Sequence, residues 1–349
     1  VREGASIEQG RAVLRDYGLA DGAHVEPLGN GLINDTFAVR SPEGDWVLQR
    51  VHTVFSPQIH HNIAAVTERL AAEGIPTPRL RPTDDGALWS EHDGRAWRVM
   101  TRMQGVTFDA MRSAGQARAA AGALGRFHCA LEGLEHDFVG LRAGVHDTPA
   151  HLQRLRDAVQ QHRDHRLYDD VAPLAEALLA KADTLPNLEH IEARIAHGDP
   201  KLNNVMFAGT QGPSAEDALG LIDLDTVAPM PLHLELGDAW RSWCNPKGED
   251  EGQAQFDLDI FEASVAGYRA AGPTLGADER AALLYGVEVI ALELAARFLA
   301  DALNESYFGW NAERFASAGQ HNLVRARGQW SLHEASVALR AERARLLGV

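Results

Sequence analysis

A histidine, a carboxylate, a lysine and two amides crowd into one polar stretch, His197-Gly198-Asp199-Pro200-Lys201-Leu202-Asn203-Asn204, and Leu221-Ile222-Asp223-Leu224-Asp225 follows after a breaker-rich interval. Phosphoryl transfer needs such a set: a carboxylate to orient a hydroxyl, an amide oxygen and a second carboxylate for magnesium, and a cation for the oxygens of the moving group. His-x-Asp alone or Asp-x-Asp alone says little, because both occur in ordinary turns. The asparagine five positions after Asp199 and the apolar run ending in Asp223 make the pattern much narrower. Asp199 is then the residue that aligns an acceptor hydroxyl, Asn204 and Asp223 are the magnesium ligands, and Lys201 neutralises phosphate charge. His197 orders the loop. An Asp/Asn-rich turn beside an aspartate cap is the plain alternative.

Short apolar runs must hold that loop. Residues 191–196 enter it as a strand, 205–207 leave it as another, and 219–222 return as a third that delivers Asp223. Residues 208–218 are breaker-rich and predict a surface loop, and Pro229 and Pro231 precede a helix carrying Glu235, Asp238, Trp240 and Arg241. Asp238, Trp240 and Arg241 are candidate acceptor contacts; a helix that only packs and salt-bridges fits equally.

Ahead of the loop the pattern is strand-rich. A short helix over 8–18 ends near Gly18, and strands are expected at 24–28, 36–39 and 45–51. Between the first two, Gly29-Asn30-Gly31-Leu32-Ile33-Asn34-Asp35-Thr36 makes a polar turn whose backbone N–H groups could cover nucleotide phosphates, with Gly29, Asn30, Gly31, Asn34 and Thr36 as the binding candidates. A plain hairpin fits as well. Alternation puts Leu48 and Arg50 on one face of the third strand and Val47, Gln49 and Val51 on the other. Arg50 is the candidate phosphate cation, and a shift of one residue would exchange it with Gln49. A helix at 62–72 offers Glu68 as its partner, although a solvated helix glutamate fits at least as well, and two further strands fit 87–91 and 96–103. Val99-Met100-Thr101-Arg102-Met103-Gln104-Gly105 would carry the chain out of this five-stranded unit, with Met100, Arg102 and Met103 beside an adenine ring or simply in the core.

From Ser113 the period becomes 3.6, with helices expected from 113, at 149–162 and 170–185, and later at 256–270, 276–305 and 311–345. His146-Asp147-Thr148-Pro149 is a helix entry. The outcome is an α+β chain of two lobes: residues 1–104 form a small antiparallel-sheet, nucleotide-binding lobe with its hinge, and 105–349 a large, mainly helical catalytic and acceptor-binding lobe.

The chain has 349 residues, enough for two such units. Its 49 acidic residues against 33 lysines and arginines give a net charge of −16, which argues against nucleic acid or an anionic membrane as partner. Two cysteines, Cys129 and Cys244, make no disulfide framework. No apolar run spans a bilayer and the polar start lacks a secretory core, so a cytoplasmic protein is expected. Composition does not fix the oligomeric state.

The motif His197-Gly198-Asp199 with Asn204 and Leu221-Ile222-Asp223 resembles the aminoglycoside phosphotransferase-like kinases, a protein-kinase-like superfamily. Gly31-Leu32-Ile33-Asn34-Asp35-Thr36, Val47-Leu48-Gln49-Arg50, Asp199 to Asn204 and Ile222 to Thr226 are most similar to bacterial N-acetylhexosamine 1-kinases. His146 to Pro149, Gly237 to Arg241 and Glu293 to Leu299 are further similar pieces. The resemblance implies ATP and Mg²⁺ and, as small-molecule acceptor, the anomeric hydroxyl of N-acetylglucosamine or N-acetylgalactosamine. Another hydroxylated acceptor (an aminoglycoside, a choline-like amine, homoserine or another sugar) is the alternative. It also implies Asp199 as catalytic aspartate, Asn204 and Asp223 as metal ligands, and Arg50 where kinases usually place lysine. Relatives often carry a glutamate near position 62 or 63, absent here, and a brace for the catalytic loop that either Glu235 or Asp238 supplies.

Overall fold

Ser6 caps the first helix, α1 (Ile7–Val13), through a reciprocal pair with Gln9, and a 3₁₀ turn over Leu14–Tyr17 ends where Gly18 turns left-handed. This is a computed structural model, which describes residues 5–29, 33–142 and 144–349. Asn30 and Gly31 of the expected phosphate-covering turn lie outside those residues. Six antiparallel strands follow: β1 (His24–Pro27), β2 (Asp35–Ser41), β3 (Gly44–Arg50), β4 (Leu80–Arg81), β5 (Ser90–His92) and β6 (Arg95–Thr101). Their order is β1-β2-β3-β6-β4, with β5 also on β6. The sheet has one strand more than expected, because Leu80–Arg81 pairs with Met100 and Val99. The strand expected from 87 starts later because Thr83 holds Ala87 in a side-chain-closed turn.

Register sorts the two faces of this sheet. Phe37, Leu48 and Val99 pair across β2, β3 and β6 and close over Val13, Leu14 and Tyr17 of the first helix. Thr36, Gln49 and Arg98 pair across the same strands on the opposite face, which looks toward the large lobe. Helix α2 (Ile59–Ala72) begins three residues before the expected start and packs Ile59, Ile63, Val66 and Leu70 into the core shared with that lobe.

The large lobe is a stack of helices around a short β insertion. Ser113 caps α3 (Ala114–Leu131), and Asp147, with Pro149 in the first turn, caps α4 (Thr148–Gln161). After α5 (Tyr168–Ala182) come β7 (Ala193–Ala196), β8 (Val205–Phe207), β9 (Ala218–Leu221) and β10 (Ala228–Pro231). Strands β8 and β9 pair, as do β7 and β10. The fourth strand was unexpected because Pro229 and Pro231 read as breakers. In a two-stranded ribbon they occupy positions where a missing N–H is tolerated.

Then follow α6 (Leu232–Trp243), α7 (Leu258–Ala271), the central α8 (Ala277–Asn304), α9 (Ala318–Ala338) and α10 (Arg340–Leu347). The last helical stretch starts later than expected, where Ser317 caps Gln320, and breaks at Leu339. Backbones touch between several of these helices: a Cβ on Gly267 would lie 2.1 Å from the Arg118 carbonyl, and one on Gly237 2.5 Å from Gly286. A linker over 102–105 joins the lobes, and Val106 then pairs with Phe207 through two 2.8 Å backbone bonds.

Candidate active site

Strand β7 runs into the polar loop and β8 leaves it, so the loop's ends are fixed by pairing and its middle projects into the cleft between the lobes. Gly198 adopts φ +84, and a Cβ there would stand 2.4 Å from the Thr226 carbonyl, which reserves the position for glycine. Thr226 in turn donates to the His197 carbonyl at 3.0 Å. The His197 ring is fully buried, with Nε2 2.8 Å from the Ile222 carbonyl and Nδ1 3.3 Å from the Asp199 N–H. It ties the two motif segments together and faces no open space.

Glu235, not Asp238, braces the loop. Its two oxygens accept the N–H groups of His197 at 2.8 Å and Gly198 at 2.9 Å. His128 on α3 lies 3.3 Å from the same carboxylate and 2.8 Å from the Tyr268 hydroxyl on α7. Burial alone would raise the Glu235 carboxyl, but His128 and the amide donors outweigh it and hold it below the usual range.

Lys201 Nζ lies 2.7 Å from Asp199 Oδ2, and Asn204 Nδ2 donates to the same oxygen at 3.2 Å and to the Asp199 carbonyl at 2.8 Å. Among the described residues Asp199 Oδ1 has no hydrogen-bond partner. Burial lowers and the Asp199 carboxylate raises the Lys201 ammonium, and the carboxylate wins. With its NH₂ committed to Asp199, Asn204 has its amide oxygen available. The Ile222 N–H donates to the Asn204 carbonyl at 2.9 Å, which brings the strand that delivers Asp223 alongside. Asp223 sits at φ 65, a strained turn for a residue with a side chain. Lost hydration and then Asp225 and Asp199 push its carboxyl up to about 7. Crowded carboxylates at one spot are relieved by a cation, and an amide oxygen with a carboxylate is a donor set for a hard divalent ion such as Mg²⁺.

Asp225 connects the lobes. Its Oδ2 accepts from Asn34 at 2.7 Å, while Asn34 Oδ1 receives the His52 N–H at 2.9 Å. Arg98 Nη2 on β6 lies 2.5 Å from Asp225 Oδ1. Thr36 accepts from Gln49 on the same sheet face. Met100 is buried there too, and Arg102 and Met103 follow in the linker, where the Arg102 N–H donates to the Asp45 carbonyl. Gly29 is left-handed at the end of β1.

Geometry sorts three further candidates. Arg50 does not share the cleft face: it pairs with Asp35 at 2.7 Å on the Leu48 side, because residues 49 and 50 must point oppositely on a strand. Glu68 is exposed on α2, and the α2 residue turned toward Arg98 and Asp225 is buried His60. Trp240 leaves Asp238 and Arg241, since two residues along a helix nearly reverse direction; its ring packs edge-on against Phe261 at 4.8 Å. Asp238 and Arg241 are both buried and paired at 2.8 Å, and Arg241 also reaches Glu249. Burial raises and Arg241 and His146 lower the Asp238 carboxyl, with a depressed result. Beside them Glu293, fully buried, accepts from Thr148 at 2.6 Å and lies 3.2 Å from His146.

Reading by residue type missed Arg98, the Asn34–Asp225 link and the His128–Tyr268 extension of the brace. For Arg98 the signal was present: it is a charge inside an apolar strand, Trp97-Arg98-Val99-Met100.

Comparison with known proteins adds lineage to this geometry. The model of the phosphotransferase enzyme family matches residues 24–273. A homoserine kinase of Xanthobacter autotrophicus is 26% identical over 301 residues, covering 84% of this chain and 85% of that protein. Among solved structures, an aminoglycoside phosphotransferase from Alicyclobacillus acidocaldarius superposes with a TM-score of 0.61 at 16% identity, covering 99% of this chain and 98% of the other. A microcompartment-associated aminopropanol kinase gives 0.59 at 17%, covering 96% and 98%.

Proposed function

Because the chain belongs to the phosphotransferase enzyme family, we propose that Asp199 lies at the centre of an ATP-dependent transfer to a hydroxyl of a small acceptor. One observation carries the assignment of Asp199: Lys201 and Asn204 both hold Oδ2, and Oδ1 remains to accept the acceptor's O–H. Alignment matters more than basicity here, since a loose transition state releases the hydroxyl proton late. Lys201 keeps a positive charge beside the path of the moving phosphoryl oxygens. Asn204 and Asp223 would hold Mg²⁺, which would supply positive charge to offset that of the terminal phosphates. Glu235 keeps the loop from drifting, so Asp199 stays aimed. Met100, Arg102 and Met103 would border the adenine, and Gly29, Asn34 and Thr36 the phosphate side.

For the acceptor, the homoserine kinase likeness over most of the chain supports an amino-alcohol substrate and outweighs the sugar reading. The buried Asp238–Arg241 pair offers one group for an ammonium and one for a carboxylate. N-acetylhexosamine is the second reading, supported by the motifs around Asn34, Gln49 and Asp199, since a pocket whose charges are internally paired also suits a neutral polyol. An acceptor panel decides: homoserine, aminopropanol, choline, N-acetylglucosamine, N-acetylgalactosamine and an aminoglycoside, each with ATP and Mg²⁺, followed by phosphorus NMR. Phosphate-ester formation that depends strictly on one acceptor class is expected. Turnover of phosphate esters without nucleotide would overturn the transferase assignment.

A further inference from the structure

A polyphosphate lying between the lobes needs positive charge from the small-lobe side as well as from Lys201. Register places Thr36, Ala38, Arg40, Val47, Gln49, Arg98 and Met100 on one face of the sheet; Arg40 is exposed at its edge and paired with Glu26, which leaves Arg98 as the buried cation among these residues. Its side chain is only 1% exposed. Gln49 Oε1 takes hydrogen bonds from Nε at 2.9 Å and Nη2 at 2.7 Å, which fixes the guanidinium plane. Nη2 also meets Asp225 at 2.5 Å, two residues from Asp223. The third nitrogen, Nη1, is buried without a hydrogen-bond partner among the described residues.

We propose that Arg98 is the small-lobe phosphate cation of this site, held in plane by Gln49 and Asp225 and presenting Nη1 to a nucleotide phosphate oxygen. The proposal rests on the phosphotransferase reading and moves the small-lobe charge from the third strand to β6. Its physical basis is the state of Nη1. A donor already stripped of water loses nothing further when an anionic oxygen meets it, and it gains a charge-assisted hydrogen bond. Gln49 stands on the third strand where a second cation would repel Arg98; an amide there accepts from Arg98 instead. Asp225, with its other oxygen on Asn34, keeps the guanidinium beside the metal turn.

Calorimetric titration of the full chain with MgADP and, separately, with adenosine tests this without relying on turnover. Arg98→Gln should weaken MgADP by roughly 10- to 100-fold, the worth of one hydrogen bond to a charged group, and leave adenosine within about twofold. Arg50→Gln should cost MgADP far less. If Arg98→Gln does not fold, Arg98→Lys keeps a charge without the planar fork and should still lose MgADP selectively. Equal losses for adenosine and MgADP in a folded variant would make Arg98 a merely structural link and overturn the proposal. So would unchanged MgADP binding in Arg98→Gln, or an equal loss in Arg50→Gln. A wild-type chain that binds neither ligand removes the nucleotide reading and this assignment with it.

Discussion

At the scale of single residues, the site depends on how one carboxylate is held. Asp199 has one oxygen fixed by an ammonium and an amide and the other without a partner among the described residues, so it is oriented by one side only. Asp199→Asn keeps the shape and removes the acceptor lone pairs where the hydroxyl proton must go. Acceptor-dependent kcat should fall about 10²- to 10⁴-fold while nucleotide affinity stays within about threefold. Steady-state kinetics with a parallel nucleotide titration checks both halves, and near-normal kcat would remove Asp199 from its role. Residue types alone exposed this much, because histidine, aspartate, asparagine and lysine at fixed spacing have few other uses. They did not expose Arg98. Both faces of β6 are buried, so alternation of apolar and polar residues carries no mark of which side looks at the cleft.

At the scale of elements, the brace for the loop comes from helix packing. Glu235 reaches the loop from α6, His128 backs it from α3 and Tyr268 backs His128 from α7. The α3–α7 contact is close enough that the Arg118 carbonyl occupies the place of a Gly267 side chain. Gly267→Ala must separate the two helices and should lower stability by about 1–3 kcal/mol, read as the urea midpoint. An unchanged midpoint would contradict the packing described here. Helix periods were legible for α3 and α4, whose caps at Ser113 and Asp147 are spelled out in the chain. Helix α6 was legible as a helix but not in its orientation. Leu236, Asp238, Trp240 and Arg241 are all buried, and a helix buried on every side has no apolar stripe to show which way Trp240 turns. The choice between Glu235 and Asp238 failed for the same reason. Both are buried carboxylates, and only the fold shows which one meets the backbone of the loop.

At the scale of the whole molecule, acid should unfold this chain through its histidines. Burial, first among the causes, lowers His60, His151, His233, His321 and His333. His60 and His233 fall from the ordinary 6.5 to about 4. Between those values the unfolded chain binds the protons that the folded chain refuses, so stability is present above 6.5 and is lost as pH falls toward 4. Each of these two is worth up to roughly 3 kcal/mol by pH 4. Asp223 and His146, both raised, pull the other way, because the folded chain holds their protons more tightly. Five groups against two should leave a lower urea midpoint at pH 5 than at pH 7, and a flat or opposite trend would refute the balance. No helix among the described residues is long and apolar enough to cross a membrane.

The two lobes are joined by the linker over 102–105 and by the core around α2, and they meet again at the Asp225 carboxylate, which Asn34 and Arg98 grip from the sheet side. One side chain therefore carries both small-lobe partners, and Asp225→Ala would strip Asn34 and Arg98 of their shared anchor in a single change.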